Sequence, residues 1–181
     1  MTTSYEALIG RRGDHAVGYW NCVVNPRQID GGAMCTADMD NFEMVELFYA
    51  DPADEVPSIK PLEGTDKKGY FVYSSEVLHD AALETKLDFF NGKGTMANVW
   101  VQEAGTTFKT SNFVCAAGEP QKNMYAQWVP GAGEACPKAN GHYEITAEKP
   151  EGENVFMVWG FEEDTTYELL GLPTVMLYVM Q

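Results

Sequence analysis

The run His142-Tyr143-Glu144-Ile145-Thr146-Ala147 sorts its side chains by parity, with Tyr143, Ile145 and Ala147 on one side and His142, Glu144 and Thr146 on the other. Successive side chains of an extended strand point to opposite faces, so this alternation predicts a strand in a sheet with one dry and one wet face. A second run follows at 155–161, across Lys149-Pro150-Glu151-Gly152-Glu153, whose turn residues suit a five-residue hairpin loop joining the two. Working outward, runs rich in β-branched and aromatic residues recur at 16–24, 42–49, 69–74, 86–90, 96–102, 107–115, 124–129 and 175–180, with Gly, Pro, Asn and Asp between them. Short strands at such spacing predict an all-β, antiparallel fold in one domain over residues 1–181. Residues 1–14 read as a lead-in, and 51–68, rich in Pro and charged residues, as a long surface loop. One helix is expected at 75–84, where Ser75 can cap a segment carrying Val77, Leu78, Ala81 and Ala82, with a strand continuing from Gly69 as the alternative.

Several runs are bulky on both faces. Phe42, Met44 and Phe48 oppose Val45, Leu47 and Tyr49; Val155, Met157, Trp159 and Phe161 oppose Phe156 and Val158. A sheet apolar on both sides needs cover on both, or closes around something apolar. This predicts a single closed or nearly closed antiparallel β-barrel, with a β-sandwich as the alternative. A chain of 181 residues, 45% of them hydrophobic, buries such a core without metal support.

The net charge of −15 is spread along the chain, and only Arg11, Arg12 and Arg27 carry guanidinium groups. Phosphate backbones and anionic lipid surfaces are therefore repelled, which excludes nucleic acid as the expected partner. No apolar stretch is long enough to span a bilayer. Residues 1–10 have neither a basic n-region nor an apolar h-region, so the protein is either secreted, its signal removed, or cytoplasmic. Cys22, Cys35, Cys115 and Cys136 permit three pairings. The local one, Cys22–Cys35 with Cys115–Cys136, closes two modest loops and favours secretion; four buried thiols are the alternative.

Gly18-Tyr19-Trp20, on the first run, resembles the Gly-x-Trp signature of lipocalins. That resemblance implies a calycin-type barrel of eight strands, with Trp20 plugging the closed end and an apolar ligand admitted at the other. The second and third lipocalin motifs have no match here, nor has the chain a Cys near its C-terminus. A Trp packed in any β-core is the alternative reading of the same residues.

Met34, Met39, Met44, Met96, Met124, Met157, Met176 and Met180 supply shape-adaptable apolar groups, as a ligand cavity requires, although ordinary core filling uses methionine in the same way. Trp100, Trp128, Trp159, Met96, Met124 and Met157 are the candidate ligand-lining residues; Gly18, Trp20 and the four cysteines are structural candidates. His15, His79 and His142 lack metal-ligand spacing. Asp38, Asp40, Asn41 and Glu43 resemble the start of a calcium loop, but Glu43 stands where an EF-hand loop needs Gly. Neither a metal nor a cofactor is expected, and no motif names a reaction. The leading expectation is binding or transport of a small hydrophobic molecule, an enzyme being the less favoured reading. The alternatives are a barrel isomerase or cyclase that moulds an apolar substrate, and a carbohydrate-binding β-sandwich module with exposed aromatics as its platform.

Overall fold

The chain forms β1 (Gly18–Trp20), β2 (Ala33–Cys35), β3 (Met44–Phe48), β4 (Ser58–Pro61), β5 (Tyr70–Val72), β6 (Met96–Ala97), β7 (Val99–Trp100), β8 (Thr107–Thr110), β9 (Phe113–Cys115), β10 (Tyr125–Pro130), β11 (Gly141–Thr146), β12 (Val155–Asp164) and β13 (Leu172–Val179). These come from a computed structural model that describes residues 15–16, 18–20, 26–75, 89–133, 136–164 and 172–180. The expected lead-in at 1–14, the helix beyond Ser75, residues 86–88, Cys22 and His79 lie outside the described residues. Among the described residues every element is a strand, so the fold is all-β.

The strands make two sheets, one of seven in the order β1-β8-β13-β12-β10-β11-β9 and one of six in the order β6-β2-β4-β3-β5-β7. Both are mixed rather than purely antiparallel, because β9 runs parallel to β11 and β2 parallel to β4. Neither order returns to its starting strand, so the described pairings do not close a barrel. The seven-stranded sheet is nevertheless curled. Only Ser111 and Asn112 separate β8 from β9, a reach of at most about 11 Å, whereas five flat inter-strand steps would put them about 24 Å apart.

The concave side of that curl is filled by side chains. Phe108, Phe156, Tyr143 and Trp128 from the seven-stranded sheet meet Phe71 of the six-stranded sheet and Phe42 just before β3 in one buried cluster. Phe42 stacks on Phe108 at 4.6 Å, Phe71 lies 4.9 Å from Phe108, and Trp128 meets Tyr143 edge-on at 5.2 Å. Trp20 packs against the same group, 4.7 Å from Phe42 and 6.3 Å from Phe108. The opposite face of the six-stranded sheet buries a second cluster built on Val45, Ile59, Val72 and Val99, with Leu47 and Tyr70 packed against it. The two apolar faces of 42–49 thus serve two cores, where the sequence suggested a hollow.

Three further expectations change. The hairpin expected between 142–147 and 155–161 is not formed, because β10 lies between them and pairs with both β11 and β12. The segment 149–154 instead docks on the loop between β4 and β5, where Glu153 N–H donates to Thr65 O at 2.8 Å and Asn154 Nδ2 to Lys67 O at 2.6 Å. Residues 51–68 hold an interior strand, β4, whose Ile59 is fully buried; flanking prolines disguised it. Cys35 and Cys115 are free buried thiols, so neither expected local disulfide exists. Cys35, Cys115 and Cys136 sit in three different clusters as small apolar side chains.

Gly141 shows how tightly the curl is packed. A Cβ there would lie 2.2 Å from Trp128 Cζ2 and 2.7 Å from Val129 O, whereas one on Gly160 would meet nothing nearer than 4.0 Å. Gly141→Ala is expected to lower stability by about 3 kcal/mol, the upper end of overpacking costs, while Gly160→Ala leaves it within about 0.5 kcal/mol. Urea unfolding of the two variants beside the parent checks both.

Candidate functional site

The convex face of the seven-stranded sheet carries an apolar strip. Strand parity sends Phe156 and Val158 of β12 inward, and Val175, Leu177 and Val179 of β13 with them. Val155, Met157 and Trp159 therefore face outward, beside Met176, Tyr178 and Met180. Met157 pairs with both Tyr178 and Tyr125, which puts Tyr125 of β10 on the same strip. A register shift between Val158 and Gly160 leaves Trp159 as the extra residue of a β-bulge. Bulges re-aim side chains. Trp159 is 51% exposed and stacks on Tyr178 at 5.2 Å with 24° between the rings. In this stack Tyr178 backs one face of the Trp159 ring, and the half-exposed indole is what the pair offers to water.

Each end of the strip has charges of both signs. Near Trp159, Lys109 Nζ pairs with Glu162 Oε1, and the same ammonium lies 5.7 Å from the ring centroid of Tyr19. At the other end an open cleft of about 350 Å³ is lined by Lys149, Gly152, Glu153, Asn154, Val155 and Met180. Its wall is rigidly held. Buried Asn154 accepts from Gly69 N–H at 2.8 Å and from Gln102 Nε2 at 2.7 Å, and Gln127 Nε2 donates to Glu151 O at 2.7 Å.

A second cluster of polar groups is buried where the sheets meet. Glu43, just before β3, is fully buried, and its two oxygens accept from Asn140 N–H at 2.9 Å and Asn140 Nδ2 at 2.7 Å. Asp40 accepts from Ala16 N–H at 2.7 Å and lies 2.7 Å from His15 Nδ1. Asp38 accepts from Lys93 N–H at 2.8 Å, and Asn41 exchanges hydrogen bonds with the Ser74 backbone. The segment that resembled a calcium loop thus spends its oxygens on protein donors. Among the described residues no three His, Cys, Asp or Glu side chains gather as a metal site. Burial, and next the charge of Asp40, pushes the Glu43 carboxyl up to about 8; the Asn140 donors only partly offset this. Tyr143, whose hydroxyl donates to Phe42 O at 2.7 Å, is raised by burial and then by Glu43.

The candidate lining residues do not converge. Trp128 is in the main core and Met124 at its margin, while Trp100 packs against it and donates from Nε1 to Tyr73 O at 2.8 Å. Met96 lies exposed on the edge strand β6 of the other sheet. Only Trp159 and Met157 share a surface, the convex strip. Gly18 is buried against Phe42, and Trp20 sits in the aromatic cluster. Tyr178 and Tyr125 escaped the sequence reading, and Met176 and Met180 were among the shape-adaptable methionines but not among the six lining candidates. Their parity was legible, but which parity faced out depended on the register with β12.

Residues 11–178 match the family model described as YonC prophage protein. A relative in Bacillus subtilis (strain 168), the SPbeta prophage-derived uncharacterized protein YonC, is 30% identical over 114 residues. That match covers 62% of this chain and 62% of the relative. No solved structure matches.

Glu43 makes stability depend on pH with a definite sign. The folded carboxyl titrates near 8 against an ordinary 4.5, so between those values the folded state holds a proton that the unfolded chain has lost. Its stabilising contribution is complete below about pH 4.5 and is lost as pH rises through 8. The urea midpoint of the parent is expected to fall between pH 5 and pH 9, and Glu43→Gln to flatten that fall. An unchanged slope in the variant would exclude Glu43 as its source.

Proposed function

The chain belongs to the YonC prophage protein family, and from that premise we propose that it is a non-enzymatic binding module for neutral carbohydrate, using the convex strip as its platform. The observation that carries this reading is Trp159, lifted by a bulge and stacked on Tyr178 in open water. Aromatic rings present an electron-rich face, which suits the C–H face of a sugar ring, and fixed rings lose little entropy on binding. A chain of charge −15 favours a ligand without negative charge.

The architecture supports recognition on the surface rather than in an interior. We read the two sheets as a sandwich-like pair, the curl of the first being the remnant of the barrel expected from sequence. A guest inside the curl would have to displace Phe42, Phe71, Phe108 and Phe156, which occupy it in mutual contact. Carriage of an apolar molecule therefore has less support than surface binding. The argument for a secreted protein from disulfides also falls away, since Cys35 and Cys115 are thiols.

A panel of immobilised neutral glycans, with polyanionic glycans and free apolar ligands as comparators, tests the proposal. Binding to neutral glycans is expected, weakened at least tenfold (about 1.4 kcal/mol) in Trp159→Ala and Tyr178→Ala with near-parental thermal midpoints. Binding of apolar ligands alone, untouched by Trp159→Ala, would overturn it. So would a concentration-dependent dimer that Trp159→Ala dissociates, because the strip would then be a self-association surface.

A further inference from the structure

We infer that the ligand is a linear oligosaccharide rather than a single sugar, lying along β12 and β13 from the Trp159–Tyr178 platform to the Lys149–Met180 cleft. This rests on the carbohydrate reading above and specifies what that site measures. Val155 and Trp159 are four residues apart on one strand, about 13 Å, and the outward residues between and beside them are Met157, Tyr178 and Met180. That length exceeds one pyranose ring and matches a short chain of them. The strip does not stop at Val155 but runs into the cleft, which Val155 and Met180 line together. Platform and cleft are thus one continuous rail.

The nature of the rail selects among chain-like ligands. Along the rail β12 is paired with β10 over Val155–Met157 and with β13 on its other side, and β13 is paired with β8 over Val175–Tyr178. Their main-chain groups cannot add a peptide strand, so an extended peptide gains none of the hydrogen bonds that drive strand addition. Recognition falls to side chains: rings and thioethers along the middle, polar groups at the ends. Each end carries one cation and one anion, Lys109 with Glu162 and Lys149 with Glu153, which favours a neutral polyol over a polymer of either charge. A β-linked pyranose chain, flat and with C–H faces exposed, fits that description. The cleft wall is fixed before binding, because Glu153 N–H is bonded to Thr65 O and Asn154 to Gly69, Gln102 and Lys67. A preformed wall spares the ligand the ordering cost.

The test is isothermal titration of the full chain with β-1,4-linked glucose and N-acetylglucosamine oligomers of one to six units. Affinity is expected to rise at least tenfold from one unit to the length that reaches the cleft, and then to level off. The double variant Lys149→Ala with Glu153→Ala changes exposed residues and is expected to lose that gain; circular dichroism and the thermal midpoint confirm its fold. Affinity that is independent of length yet weakened by Trp159→Ala would overturn the rail and leave the platform standing. A length gain unaltered in the double variant would also overturn it, by showing that the chain leaves the platform in another direction. Failure of every oligomer to bind would remove the carbohydrate reading itself.

Discussion

Everything in this molecule is arranged around the backbone of Phe42, which holds a φ of +66° in the left-handed region. That conformation costs an aromatic residue about 1–3 kcal/mol and persists only where its surroundings determine it. Here they do. Phe42 N–H donates to Val72 O at 2.7 Å, and its carbonyl accepts from Tyr143 OH at 2.7 Å. Its ring is stacked on Phe108 and edged by Trp20. The contacts come from both sheets, so this turn holds the sheets together. It also puts Glu43 out of water beside Asn140, at the start of β11. Gly18 belongs to the same constraint, since a Cβ there would come within 2.6 Å of the Phe42 ring.

With the described middle of the fold committed to packing, the proposed recognition lies on the outside. Among the described residues the concave side of the curled sheet is occupied by Phe42, Phe71, Phe108 and Phe156, while Trp159 on the convex side is exposed to water. The bulge at Trp159 is the device that exploits this. It adds a residue to one strand of a paired ribbon at Trp159, the ring that the alternation of Val155 and Met157 already directs outward. The bulge lies within the β12–β13 pairing, so Trp159 is carried by a strand rather than by a loop.

Much of the fold was legible. The alternation in 142–146 was read on the correct faces, with Tyr143 and Ile145 buried and Glu144 exposed, whereas Ala147, expected on the dry face, lies beyond β11 and is exposed. Most strand runs reappear, although 96–102 divides into β6 and β7, and 107–115 divides at Ser111-Asn112 into strands far apart in the sheet order. Pairing was the weak point. Nothing local in 149–154 reveals that its partners are Thr65 and Lys67 of the loop between β4 and β5, so a plausible hairpin was inferred where β10 intervenes. Residues 58–61 were hidden by prolines that flank a strand as readily as they break one. The apolar double face of 42–49 was a true signal with two physical explanations, and only tertiary contacts choose between a cavity and a second core. Glu43 was noticed for its place in an acidic run; an acid set between Phe42 and Met44 was the better cue to burial. Of the six lining candidates, Trp159 and Met157 share the strip, because aromatic and methionine content shows that apolar surface exists but not which way it faces.

The acidic surface and the apolar strip are best understood together. An exposed ring platform on a central strand is a liability, since copies of the same face attract one another. A charge of −15 distributed over 181 residues opposes that approach at long range without weakening short-range stacking on an uncharged guest. The same repulsion acts on any polyanion that might otherwise settle on the strip. On the proposed reading negative charge filters partners while the rings bind, and Lys109, paired with Glu162, and Lys149, on the cleft lining, place a cation at each end of the rail.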